Sequence, residues 1–95
     1  MLKVVAKMQL SAEAKESAQE IINKLVAATV KEEGCIDYKF CVDTEAAGSF
    51  AIIETWESKD ALDAHMKSAH FVELIPLLSD LVTGEIEIAV FEVLF

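Results

Sequence analysis

Apolar residues occupy every second position from Leu2 through Val4, Ala6 and Met8 to Leu10, set against Lys3, Val5, Lys7 and Gln9. That period of two predicts a strand with one buried face. The period then changes. Ser11 is placed as an N-cap, and Ala14, Ala18, Ile21, Ile22, Leu25, Val26 and Ala28 recur at helical spacing, a helix of about five turns that Gly34 should stop. Two strands follow. Cys35 to Val42 carries Ile36, Tyr38, Phe40 and Val42 on one side and Asp37 and Lys39 on the other, and Ser49 to Glu57 returns after a polar turn ending at Gly48.

Ser58 caps a short helix from Lys59 to about Lys67. A further helical segment runs from near His70 to Val82 with Phe71, Leu74, Ile75, Leu78 and Leu81 inward. Pro76 inside it should kink or divide it. Thr83-Gly84 ends that segment, and Glu85 to Phe95 reads as a last strand with Ile86, Ile88, Val90 and Leu94 set against Glu85, Glu87 and Glu92. The order is β-α-β-β-α-β, an α+β ferredoxin-like arrangement whose four-stranded antiparallel sheet carries helices on one face. Residues 1–95 leave room for one domain.

Composition sharpens this in three ways. Apolar residues make up 54% of the chain, a surplus for a small domain, so a symmetric homodimer or higher assembly is expected to cover the other sheet face. A net charge of −9, with eight basic residues scattered among seventeen acidic ones, argues against a nucleic-acid partner. No apolar run approaches the ~20 residues of a membrane span, and the second lysine at Lys7 interrupts any signal-type segment; a cytoplasmic protein with no membrane contact is expected. Cys35 and Cys41, about 20 Å apart if they share a strand, cannot pair and read as reduced structural thiols.

The candidate chemistry lies where the third strand hands over to the short helix. Glu54 shares a strand face with Phe50, Ile52 and Trp56, and a carboxylate there is costly unless paired. His65 stands three after Leu62 and four after Ala61, hence on the inward helix face, and an imidazole is the natural base near neutral pH. Each has a plain structural alternative: a hydrogen-bonded core His, an ion-paired Glu, a core Trp. Tyr38 suits either a hydrogen bond to a ligand or a subunit contact, and His70 suits a helix-cap role. The two histidines are five apart, off-face on one helix, and neither has a metal-type partner at i+3 or i+4, so no metal is expected.

Lys31-Glu32-Glu33-Gly34-Cys35 with Tyr38, Glu54-x-Trp56-Glu57-Ser58, Ala61-Leu62-x-x-His65 and Ala69-His70-Phe71 together resemble the antibiotic biosynthesis monooxygenase family, nearest its quinol-oxidising members. The resemblance covers nearly the whole chain. It implies a dimeric α+β barrel and, in each subunit, a pocket between sheet and helices. Some members oxygenate quinols, phenols or anthrones with O2 and no metal, haem or flavin; others isomerise a phosphorylated sugar or degrade haem. The haem-degrading branch uses an Asn, a Trp and a His where this chain has Met8, His65 and Ile75, so haem degradation is not expected.

The reading that follows is a cofactor-independent monooxygenase of a small quinol or polyphenol, with His65 as base, Glu54 as its orienter, and Trp56, Tyr38 and Phe71 around the substrate. The alternatives are an isomerase of a small carbonyl or phosphocarbonyl compound, and a non-catalytic dimeric small-molecule-binding or stress-related protein.

Overall fold

A computed structural model describes all 95 residues. The elements are β1 (Leu2–Gln9), α1 (Ala12–Thr29), β2 (Cys35–Val42), β3 (Ser49–Trp56), α2 (Lys59–Met66), α3 (Ala69–Leu81) and β4 (Thr83–Glu92). The four strands form one antiparallel sheet in the order β2-β3-β1-β4, as the ferredoxin-like reading requires.

Strand parity sorts the chain into a covered and an open face. Val4, Ala6 and Met8 on β1 and Phe50, Ile52, Glu54 and Trp56 on β3 are buried on the helix side. Against them lie Ala18, Ile22, Leu25 and Thr29, a stripe on α1 at alternating steps of four and three, together with Leu74 and Leu78 of α3. The opposite face carries Lys3, Val5, Lys7, Ala51, Ile53, Ala89 and Phe91, and no element of the chain covers it. On that face Lys3 Nζ donates to Thr55 Oγ1 (2.8 Å), and the Thr55 hydroxyl donates to Asp37 Oδ1 (3.3 Å).

Four details depart from the sequence pattern. In β2 the pairing slips between Cys35, opposite Trp56, and Asp37, opposite Thr55. Ile36 is the extra residue of this bulge. It is 48% exposed rather than inward, while Cys35 packs against the core and Tyr38 resumes the buried face. In α3 the helix runs unbroken through Pro76. The amide that Pro76 lacks would have met the carbonyl of Val72, a residue 62% exposed on the outer side of the helix, and the helix does not divide there. At the C-terminus, β4 starts at Thr83 and stops at Glu92, which leaves Val93–Phe95 outside the strand.

The fourth departure positions the site. α1 ends at Thr29, with Val30 as C-cap, four residues before Gly34. Lys31 to Gly34 instead form a turn held by Glu32 N–H to Thr29 O (2.9 Å), Cys35 N–H to Glu32 O (3.2 Å) and Glu57 N–H to Gly34 O (2.8 Å). Gly34 has φ +86°, and a Cβ there would stand 2.5 Å from Ala61 Cβ. Glycine is therefore required on two counts, backbone sign and clearance from α2. With that clearance the turn lies against α2 and brings Glu32 to the histidines.

Candidate active site

Each histidine stands on a helix held by a local capping device. Ser58 caps α2, its Oγ accepting from Ala61 N–H (3.2 Å), and the three-residue step from Leu62 to His65 turns both side chains inward. Ser68 caps α3 by accepting from Phe71 N–H (3.3 Å), and its hydroxyl donates back to the carbonyl of His65 (2.6 Å). One serine thus ties the end of α2 to the start of α3. His65 and His70 lie on different helices with ring centroids 6.0 Å apart, so the single-helix spacing argument that kept them apart does not apply.

Glu32 joins the two rings. Its Oε2 lies 2.6 Å from His65 Nδ1 and 2.8 Å from His70 Nε2, and His70 Nε2 also lies 3.1 Å from Ser68 Oγ. A carboxylate only accepts, so this network assigns the proton of His65 to Nδ1 and that of His70 to Nε2. The consequence is on the other edge of His65. Its Nε2 carries the lone pair, is buried, and has no hydrogen-bond partner. Burial holds the His65 pKa below the usual imidazole value, against the hydrogen bond and charge of Glu32, which raise it. The imidazole, 1% exposed, is thereby kept a neutral acceptor.

That ring borders a cavity of ≈ 100 Å³ between the sheet and α2–α3. Tyr38, Glu54 and His65 are the only lining residues with a side-chain oxygen or nitrogen; the rest are apolar, Phe71 and Leu62 among them. Ile88 and Val90 of β4 form the rim, 63% and 52% exposed, so the cavity opens between β4 and the helices. A cavity of about 150 Å³ accommodates benzene; this one is smaller and open at its rim, so it can enclose at most part of a single small ring, the remainder lying at the mouth.

The remaining residues correct the sequence picture. Glu54 does not orient His65; Glu32 does. Glu54 Oε1 accepts from Trp56 Nε1 (2.8 Å) instead. Trp56 does not line the cavity. It is fully buried behind His65, with ring centroids 4.7 Å apart, while Phe71 meets the same imidazole edge-on at 5.0 Å. Tyr38, directly opposite Glu54 in the β2–β3 register, also packs on His65 (5.5 Å). Sequence reasoning missed Glu32 and His70 as parts of the site. For His70 a signal existed, because the predicted helix break between Lys67 and His70 already put it on a separate element. For Glu32, 33 residues from His65, no local pattern points there.

Burial pushes the Glu54 carboxyl up to about 7, opposed by the Trp56 hydrogen bond and assisted by the charge of Glu32. Burial also raises the Tyr38 phenol above its usual range and the Cys35 thiol to about 11, so Tyr38 is a donor and Cys35 an unreactive thiol. A measurable pH effect follows. A carboxyl whose pKa is raised from 4.5 to about 7 on folding stabilises the fold fully below pH 4.5, and that contribution is lost as pH climbs through 7. It is on the order of 3 kcal/mol. The groups acting on Glu54 are Tyr38 opposite it on β2, Trp56 on its own strand, His65 in the same cavity wall, and the charge of Glu32, which lies outside the lining. Comparing melting at pH 5.5 and 8.5, the wild-type protein should lose markedly more stability than Glu54→Gln. Equal losses would show that Glu54 is ionised at no cost.

The comparisons with known proteins come down on the same architecture. The family described as antibiotic biosynthesis monooxygenase matches residues 1–76. A conserved protein of Methanosarcina mazei, known by its crystal structure, superposes with a TM-score of 0.92 at 37% identity, covering 95% of this chain and 89% of that one. Probable quinol monooxygenase YgiN of Escherichia coli is 40% identical over 55 residues, a match that spans 50% of this chain and 53% of YgiN. Rv0793 of Mycobacterium tuberculosis is 23% identical over 87 residues, 92% of this chain and 85% of its own.

Proposed function

Given that the chain belongs to the antibiotic biosynthesis monooxygenase family, we propose that it oxygenates a small, single-ring quinol or polyphenol with O2, using no cofactor, and that His65 is the base. One observation carries this reading: His65 Nε2 is a buried lone pair without a partner at an apolar cavity, while Nδ1 is locked by Glu32.

The chemistry needs little more than this. His65 Nε2 takes a phenolic proton, and the resulting anion gives an electron to O2 far more readily than the phenol does. The apolar walls keep water from the radical pair. The pair combines at a ring carbon to a hydroperoxide, which loses water. In the balance the substrate loses two hydrogens and gains one oxygen, and the second oxygen leaves as water. All four electrons accepted by O2 come from the substrate, so no external reductant enters. Tyr38, held protonated, and Glu54, protonated over the lower part of the neutral range, are donors for the oxygen anions that form along the way. Glu32 acts as the positioning residue for His65.

The reading is tested by oxygen uptake of chelator-treated protein with single-ring quinols and catechols. Uptake well above autoxidation is expected, with larger fused-ring substrates slower because the cavity holds no more than one ring. No uptake across the set would shift the assignment to proton-shuttling isomerisation of a small carbonyl compound, which the same base facing the near-neutral acid Glu54 could perform. The open sheet face with Val5, Ile53 and Phe91 is the surface we assign to pairing of two copies; sedimentation as a monomer at micromolar concentration would remove that assignment.

A further inference from the structure

We propose that Glu32, His65 and His70 also form a binding site for Zn²⁺, and that the ion, once bound, switches off His65 as a base. The site needs only residues already converged: one carboxylate oxygen and one nitrogen from each ring lie within 4.8 Å of one another. Two imidazoles and a carboxylate are a donor set suited to a borderline first-row ion and poorly suited to Mg²⁺ or Ca²⁺, which want oxygen ligands.

The geometry requires adjustment on two sides, because the two ring nitrogens, within 4.8 Å of each other, must also come to tetrahedral spacing. Bonds of about 2.0–2.2 Å in a tetrahedral arrangement separate neighbouring ligand atoms by roughly 3.3 Å. The hydrogen-bonded contacts from Glu32 are 2.6 and 2.8 Å, so its carboxylate must withdraw by roughly 0.7 Å from His65 and roughly 0.5 Å from His70 to reach that spacing. It can do so because it sits on a turn and is partly solvent-exposed, as is His70, which gives an ion a way in. The caps of α2 and α3 bring the two rings to one place, and Ser68 stands beside His70. A net charge of −9 favours cations near the surface.

The effect on His65 follows from counting protons. A neutral imidazole carries one. In the protein without metal it is on Nδ1, pointing at Glu32, and Nε2 is free. An ion on Nδ1 takes that lone pair, and the single proton must then reside on Nε2, the edge at the cavity. The acceptor becomes a donor with no change in ring charge. Binding of the ion is independent of the proposed reaction, whereas the loss of activity rests on the reading of His65 as base.

The test is calorimetric titration of chelator-treated protein with ZnCl2, beside Glu32→Gln and His70→Ala, each checked for native melting. One ion per chain is expected with a dissociation constant in the micromolar range or below. Each variant should bind at least about tenfold more weakly, the least that loss even of an outer-shell partner costs a metal site, and MgCl2 should give no binding. Nitrogen-15 NMR of the wild-type protein reads the tautomer directly: the His65 proton should move from Nδ1 to Nε2 on saturation. No saturable binding, or variants that bind as tightly as the wild type, would overturn the site. Saturation that leaves the proton on Nδ1 would overturn the switch. Zn²⁺ that binds and flips the tautomer yet leaves oxygen uptake unchanged would uphold the site and count against His65 as base.

Discussion

Oxygen uptake by His65→Gln is expected to fall at least 100-fold, with the protein still folded. A positioned general base contributes about 10²–10⁴ in rate. The amide of glutamine keeps the size of the side chain and can still donate to Glu32, but it has no basic lone pair to offer at the cavity. The loss should appear in kcat, because proton removal precedes electron transfer to O2, and should be much smaller in substrate binding, to which the apolar wall contributes most. The stability cost is modest by comparison: one charge-assisted hydrogen bond, His65 Nδ1–H to Glu32 at 2.6 Å, is replaced by a weaker one. A folded His65→Gln protein retaining more than a tenth of wild-type uptake would show that the proton leaves by another route.

The largest stability effect is expected at Trp56. This side chain is 0% exposed, packs at a tilt against His65 with centroids 4.7 Å apart and gives its indole N–H to Glu54 at 2.8 Å. Replacement by alanine removes the biggest buried apolar body in the domain and leaves a cavity behind the imidazole, a change that costs about 3–5 kcal/mol. It also strips a donor from a buried carboxyl, which should hold Glu54 protonated to still higher pH. Domains of this kind have only about 5–15 kcal/mol in total, so Trp56→Ala should be at the edge of folding. Urea denaturation measures it. A loss below about 1 kcal/mol would mean that the pocket behind His65 collapses freely and that Trp56 does not buttress the imidazole.

The fold was legible because strand parity and helical spacing are local signals. The alternation of Val4, Ala6 and Met8 and the caps at Ser11 and Ser58 each declare themselves within a few residues, and the structure keeps them. Ile36 shows where parity fails. A bulge inserts one residue without altering composition, so only the partner strand reveals that Cys35 faces inward and Ile36 does not. At Pro76 the helix does not divide, because the cost of a missing amide depends on the tertiary exposure of the turn before it, which the sequence does not carry.

The cavity lining was legible one residue at a time and not as a constellation. His65, Glu54, Tyr38 and Phe71 do line the cavity. Which carboxylate holds His65 was not legible. Glu54 was the near candidate, on the adjoining strand and on a buried face. Glu32 enters only as part of the Lys31-Glu32-Glu33-Gly34-Cys35 stretch that carries the family resemblance, with no partner assigned, and it reaches the imidazole because Gly34 lets that turn lie against Ala61 of α2. The decisive pairing is therefore made by the shape of a turn. Trp56 was placed in the wrong layer for a related reason: period two puts it on the correct sheet face, but depth along that face depends on the helices above.

The most direct test of the central claim is to run the reaction under ¹⁸O2 with chelator-treated protein and a single-ring quinol, and to weigh the product. One heavy oxygen per product molecule is expected, with the rate of its appearance matching oxygen uptake and collapsing in His65→Gln. A product carrying no heavy oxygen, or one that forms equally fast without the protein, would contradict the monooxygenase reading.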